Sequence, residues 1–437
     1  MAVLAADKAR VTKAELGTAV LSLVIVLYVL RTGAVLVGDS QEYIEHLSIR
    51  PPLVPWLLDL SRLFIGPQHY LTGMAVFQTL LLMASAHFLC RELRRAFSLD
   101  GLGTCGIYVS VVFVMATTPI LGMMGSQILS DSVAYALFLT HIALLIPCLQ
   151  EHHPRRAAAA LMVAAINILS REQMVFAFLV TAIFVVALHR RGKQAAFKML
   201  LLATLCLACV FLVNGAYHKA AHGSFSGPSW QYPHLWASLI FVSEYADVAV
   251  YADDPEYPVI ERIFRYAQED RLFAHYRRQD AASSMSNFYR LNMPRILFTG
   301  ILNEYKKYGD PLTEDELFAR ASAASRRHFP VLLARKLPQF AQCFAIRLVQ
   351  SCGVLDAFLV FSFLVVWRAA PRSPIALALG LALAMLLANI LLVGLLNHLN
   401  SRYTMYTTAL SMVACVLFAC HLRRHHLRFV PVEAPGA

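Results

Sequence analysis

Ten apolar runs, each close to the length that crosses the hydrocarbon core of a bilayer as a helix, constrain this chain more than any other feature. A spanning helix needs about 20 mostly apolar residues, because its backbone groups have no water to bond and must be satisfied within the segment. The runs lie near 15–37, 70–90, 102–118, 131–149, 157–170, 173–189, 199–217, 347–367, 374–396 and 404–421. Between the fifth and sixth, "ILSREQMV" reads as a short turn with Arg171 and Glu172 at its tip, which is more economical than a helix charged at its centre. With 58% of 437 residues hydrophobic and only 15% charged, the chain has more apolar surface than a soluble globule of its size can bury. The expected fold class is an all-α polytopic membrane protein.

The net charge of +11 sits in short clusters at the ends of the apolar runs, which suits lipid headgroups and argues against nucleic acid as a partner. Following Lys and Arg through alternate loops collects "DKARVTK", "RELRRAF", "EHHPRR", "HRRGK", "WRAAPR" and "HLRRHHLR" on one side, expected to be cytoplasmic together with both termini. The first run lacks a cleavage motif and is expected to be a retained helix. Most of the nine cysteines fall inside apolar runs, including the Cys206/Cys209 pair, and read as small core residues.

Three parts follow from this pattern: residues 1–217 with seven membrane helices and a first outer loop at 38–69, an outer segment at 218–346, and 347–437 with three helices and a basic tail. The outer segment is too long for a plain connector and is expected to be a mixed, partly helical extracytoplasmic domain. Thr313 three residues before Glu316 has the spacing of a capping box and predicts a helix start. The apolar and basic stretch "HFPVLLARKLPQFAQCFAIRLV" is expected to lie partly along the membrane surface.

Chemistry-bearing residues gather on the outer side. In "VGDSQEYIEHLSIRPPLVPWLL", Asp39, Glu42 and His46 share one face if the stretch is helical, and a partly desolvated carboxylate there can take a proton from a hydroxyl. A loop cap at Asp39 or Ser40 is the plain structural alternative. Arg50 precedes two prolines that fix an extended backbone, holding a phosphate-binding guanidinium at headgroup depth, where snorkelling would equally place it. Asp131 opens the fourth run, as a helix-start carboxylate would. Arg171 and Arg402, followed by Tyr403, sit at outer helix ends, where interfacial anchoring is the alternative. His218 and Lys219 leave the seventh run, followed by Trp230, Tyr232 and Trp236, which suit sugar stacking or a membrane-interface belt.

An Asp shortly after the first helix, a Tyr four residues on in "DSQEY", and a basic residue before Pro-Pro-Leu resemble the opening of the GT-C glycosyltransferases, in the branch of lipid A aminoarabinose transferases, protein O-mannosyltransferases and arabinofuranosyltransferases. "LSDSVAYALFL", "INILSREQMVFAFL" and "NSRYTMYTTALSMV" echo later parts of that family in order. The resemblance implies a GT-C-like bundle, Asp39 as catalytic base and Arg50 as a contact to the lipid phosphate, with Arg171 and Arg402 beside it and Asp131 orienting acceptor or sugar. Glu42, Tyr43, His46, His218, Lys219 and Tyr403 become possible substrate-binding residues. In some relatives a divalent metal sits by the base, and Glu42, His46 and His218 are the residues able to ligate one; no metal is assigned here.

The expected activity is inverting transfer of a sugar from a polyprenyl phosphate or diphosphate donor to a hydroxyl of an envelope glycolipid, polysaccharide or protein such as a pilin, on the periplasmic side of a bacterial inner membrane. A lipid-linked-sugar transporter, an O-antigen ligase or polymerase, and a non-catalytic assembly subunit are the rivals. Transporters tend to carry repeats and midplane charges, which this chain does not show.

Overall fold

The structure is a computed structural model that describes residues 2–117, 124–151, 153–189, 192–279, 284–308, 311–351, 353–396 and 401–429. Its helices are α1 (Ala2–Thr32), α2 (Ser40–Ile44), α3 (Leu53–Ile65), α4 (Tyr70–Phe97), α5 (Gly101–Thr117), α6 (Ser130–Leu145), α7 (Pro154–Ser170), α8 (Val175–His189) and α9 (Lys193–His222). After these come α10 (Gln231–Phe241), α11 (Tyr257–Glu269), α12 (Met285–Arg295), α13 (Asn303–Lys307), α14 (Glu314–Ser351), α15 (Val354–Ala369), α16 (Pro374–Leu396) and α17 (Ser401–Phe429). Among the described residues the only extended pairing is an isolated parallel bridge between Val35 and Gln127. The described residues form an all-α fold, in which each spanning segment satisfies its own backbone groups.

Seven described segments are long and apolar enough to cross a membrane, within α1, α4, α6 with its short extension to Leu149, Glu172–His189, α9, α16 and α17. The remaining three expected runs fall on α5, α7 and α15. The 347–367 run differs from expectation: it begins in the last turns of α14 and continues, after a sharp bend, in α15. Helix α7 is alanine-rich, and Ala157, Ala160 and Ala164 are fully buried, so its backbone can approach α6 closely. Asn167 on the same face donates to the Ala134 carbonyl of α6 at 3.0 Å. The main core comprises residues such as Leu82, Tyr135, Phe138, Phe178, Met385 and Tyr406, whereas Leu23, Leu27, Phe211 and Leu212 on α1 and α9 face outward, as lipid-facing side chains do.

The segment expected on the outer side has its own core around Trp236, Phe241, Phe264, Tyr289 and Tyr305. Its described part is helical rather than mixed. The expected capping box is present: the Thr313 N–H donates to Glu316 Oε2 at 2.8 Å, and the Glu316 N–H donates to Thr313 Oγ1 at 3.3 Å. From there α14 runs 38 residues through Pro330 and Pro338, so the stretch expected along the membrane surface continues one helix packed on α10 and α12. Lys336 and Arg335 of α14 hold the nearly buried Asp247 at 2.7 and 3.2 Å. A third, small cluster, with Val29, Val54, Leu58, Met74 and Val133 around Tyr43, supports the first outer loop from below.

Candidate functional site

The first outer loop is held before its charged residues are reached. The Val35 N–H donates to the Ser126 carbonyl at 2.8 Å, and Gln78 Nε2 of α4 donates to the Gly125 and Gln127 carbonyls at 2.7 and 2.6 Å. Asp39 then occupies the N-cap position of α2 without a side-chain cap bond; Ser40 Oγ accepts from the Val37 N–H at 2.9 Å instead. The loop-cap alternative therefore does not account for the Asp39 carboxylate.

Helix α2 is only five residues long, so His46 does not share its face. His46 has φ +56°, a left-handed conformation that costs a side-chain-bearing residue about 1 kcal/mol or more, and its Nε2 lies 3.3 Å from Asp59 of α3. This reversal, followed by the Arg50 N–H bond to the Leu47 carbonyl at 3.0 Å and the two prolines, returns Arg50 to the face of α2. Its guanidinium donates to Glu42 Oε2 at 2.5 Å, lies 3.6 Å from Asp39 Oδ2 and 4.9 Å from the centre of the Tyr43 ring. Burial raises the pKa of Glu42; Arg50 opposes that rise and the Asp39 carboxylate adds to it. Burial works against the Arg50 charge, but Tyr43, Glu42 and Asp39 outweigh it and hold the guanidinium protonated.

Tyr43 links this loop to the bundle by donating to Ser130 Oγ at 2.7 Å. One residue on, Asp131 lies in the first turn of α6, with Leu129 at the N-cap position, and pairs with Arg171, both side chains nearly buried. Arg171 ends α7 in an extended conformation, and a single 3₁₀ turn, Glu172–Met174, leads into α8. Gln173 in that turn donates to Asn389 Oδ1 of α16 at 2.7 Å, which anchors the turn to the bundle.

These pieces line one cavity of about 260 Å³. Asp39, Glu42, Tyr43 and Arg50 form one wall, Ser130, Arg171, Glu172 and Gln173 another, and Trp230, His234 and Phe298 of the outer segment close the third. Asp131 stands behind Arg171. The arrangement sets two guanidinium groups and three carboxylates around a space large enough for a sugar or a phosphate group, with aromatic rings also among its lining.

The other expected site residues lie elsewhere. His46 is on Asp59, His218 is buried against Tyr217 and Gly227, and Lys219 is exposed and donates to the Gly223 carbonyl at 2.8 Å. Arg402 and Tyr403 belong to the first turn of α17, and their side chains lie outside the described residues. Trp236 is fully buried in the outer core and Tyr232 lies under Arg326; of the three aromatics only Trp230 lines the cavity. Glu172 is read from the sequence only as the turn tip beside Arg171 and not as a site residue; His234 stands four residues after Trp230, a helical spacing, while Phe298 carries no local signal.

The three residues considered as metal ligands do not converge: Glu42 is held by Arg50, His46 by Asp59, and His218 lies outside the cavity. They do not fit a metal ion. Among the described residues, Asp254, Glu256 and His328 do stand close together in the outer segment. There Glu256 already accepts from Tyr305 at 2.8 Å and pairs with Arg327 at 2.7 Å and His328 at 3.1 Å, so the group reads as an ion-pair network tying α14 to the entrance of α11.

No family model matches the chain, and no curated protein matches it. Among solved structures, the crystal structure of ArnT from Cupriavidus metallidurans bound to undecaprenyl phosphate is similar, at 12% identity and a TM-score of 0.34, over 94% of this chain and 78% of that one.

Proposed function

We propose that this protein is an inverting membrane glycosyltransferase that moves a sugar from a polyprenyl-phosphate-linked donor to a hydroxyl of an envelope acceptor on the non-cytoplasmic side. The observation that carries the reading is the convergence of Asp39 and Arg50 of the first loop with the sequence-distant Arg171 on one cavity also lined by aromatic side chains. The lipid phosphate binds between Arg50 and Arg171, whose forked donors match its oxygens and stabilise the charge it gains as the sugar leaves. Asp39 takes the proton of the acceptor hydroxyl, which attacks the anomeric carbon from the face opposite the phosphate. The C–O bond to the phosphate breaks as the new glycosidic bond forms, and the anomeric configuration inverts.

The pairing of Arg50 with Asp39 and Glu42 gives this chemistry an order. A phosphate that draws the Arg50 guanidinium away leaves the Asp39 carboxylate facing the acceptor, so the base is released when donor is in place. Asp131 acts through Arg171, holding its guanidinium in place. A ligase working with arginines and a histidine would not need the carboxylate. The test is mass spectrometry of envelope glycolipids and surface glycoproteins from cells carrying wild type, Asp39→Asn or a deletion, with membrane insertion checked. Loss of the same sugar mass in the deletion and in Asp39→Asn is expected; full modification with Asp39→Asn removes the base assignment and favours a ligase or a transporter.

A further inference from the structure

The loop that carries Arg50 is gripped from outside the cavity. Asp315, in the first turn of α14, accepts two hydrogen bonds from Ser48 through one oxygen, from the backbone N–H at 2.9 Å and from Oγ at 2.8 Å. Its other oxygen lies 3.3 Å from His222 Nδ1 near the end of α9. Gly227, in the connection from α9 to α10, packs so closely that a Cβ there would stand 2.3 Å from the Ser48 carbonyl oxygen. The α14 start and the α9–α10 connection therefore meet at Ser48, two positions before Arg50, and the end of α9 backs the Asp315 carboxylate.

We infer that Asp315 is a positioning residue for Arg50: by fixing the backbone of Ser48 it sets where the Arg50 guanidinium stands in the cavity. The inference deepens the proposed function and rests on it for the meaning of Arg50. The geometry favours it over a general stabilising contact for two reasons. The bonded group is a backbone N–H within the turn that ends at Arg50, so loosening it moves that turn directly. The α14 end is itself built by the Thr313/Glu316 capping box, which does not use Asp315, so the helix start survives its replacement. Asp315 thus couples the outer segment to the cavity: a displacement of α14 or of the α9 end is passed to Arg50.

The test uses full-length protein in lipid nanodiscs, comparing wild type, Asp315→Ala, Asp315→Asn, Gly227→Ala and, as a control on the same helix start, Glu316→Ala. Two quantities are read: the rate at which phenylglyoxal modifies Arg50, followed by peptide mass spectrometry, and the affinity for a polyprenyl phosphate. Loss of charge-assisted hydrogen bonds of this kind corresponds to about a tenfold or larger change. Asp315→Ala and Gly227→Ala are expected to raise Arg50 modification and weaken binding by about tenfold, Asp315→Asn by less, and Glu316→Ala, which loosens the helix start but keeps the Asp315 bonds to Ser48, to change both by much less than Asp315→Ala. Unchanged Arg50 reactivity in Asp315→Ala overturns the inference, as does faster modification with unchanged binding. A change matched by a fall in melting temperature that Glu316→Ala reproduces shows a merely structural role and also overturns it. If wild type binds no polyprenyl phosphate, the donor assignment fails, and Arg50 reactivity alone decides the positioning role.

Discussion

Replacing Asp131 by Asn removes the carboxylate that faces Arg171 in a part of the bundle where neither side chain reaches water freely: the two are 5% and 10% exposed. Removing one member of a buried pair strands the other charge, which costs about 3–5 kcal/mol, whereas losing an exposed pair costs about 0–1 kcal/mol. The same protein supplies the comparison, since Arg423 and Asp100, 60% and 49% exposed, pair 3.1 Å apart at the end of α17. Asp131→Asn is therefore expected to destabilise the protein by about 3 kcal/mol or more, and Asp100→Asn by less than about 1 kcal/mol. Replacing both members together, as Asp131→Leu with Arg171→Met, is expected to recover most of the stability, because no charge is left behind, while abolishing activity through loss of Arg171. Equilibrium unfolding in mixed lipid–detergent micelles measures all of these. Asp131→Asn as stable as Asp100→Asn would show that burial adds nothing to this pair, and a double variant no more stable than the single one would show that no stranded charge is responsible.

Glu42→Gln is expected to flatten the pH dependence of stability above the ordinary carboxylate range. Glu42 has a raised pKa in the folded state, so it favours folding while protonated, and that contribution fades as the pH climbs from the ordinary carboxylate range through the raised value; thermal melts against pH show the difference. Glu256 runs the other way. Burial pulls its pKa up, but hydrogen bonds from His328, Tyr305 and Arg327 prevail and lower it, so its stabilising contribution is present above the usual glutamate pKa and lost as the pH falls through the lowered one. Glu256→Gln is expected to blunt the acid-induced loosening of α11 and α14 in hydrogen exchange. Trp230→Ala removes a stacking wall without touching the guanidinium groups, and is expected to weaken sugar-dependent binding by about tenfold while leaving lipid phosphate affinity within about twofold.

The helical runs were legible because spanning a bilayer imposes length and apolarity on each segment separately, and α4, α6, α9, α16 and α17 carry that imprint in consecutive residues. Local chemistry was legible for the same reason: the Thr313/Glu316 box and the two prolines after Arg50 act within a few residues of themselves. The cavity was only half legible. Asp39, Arg50 and Arg171 announced themselves as charges at helix ends, but their pairing is tertiary: nothing in sequence says that Asp131 faces Arg171, or that Glu42 shares Arg50 with Asp39. His46 shows why spacing misleads. Its offset from Glu42 predicts a shared helix face, yet α2 stops at Ile44 and a left-handed turn sends the ring to Asp59. The outer wall was least legible, because Phe298 reaches the cavity through a stretch of π-helix whose placement depends on the packing of α12 and α14.

In the proposed mechanism a lipid phosphate sits on Arg50 beside a base that does not itself bind it. Native mass spectrometry of the protein in nanodiscs, titrated with a polyprenyl phosphate, tests this with wild type, Asp39→Asn and Arg50→Ala. Losing a charge-assisted contact of about 1.5–3 kcal/mol weakens binding roughly 10- to 100-fold. That loss is expected for Arg50→Ala, with Asp39→Asn binding at least as well as wild type; an Arg50→Ala protein that binds the lipid as tightly as wild type would rule out a phosphate held by Arg50.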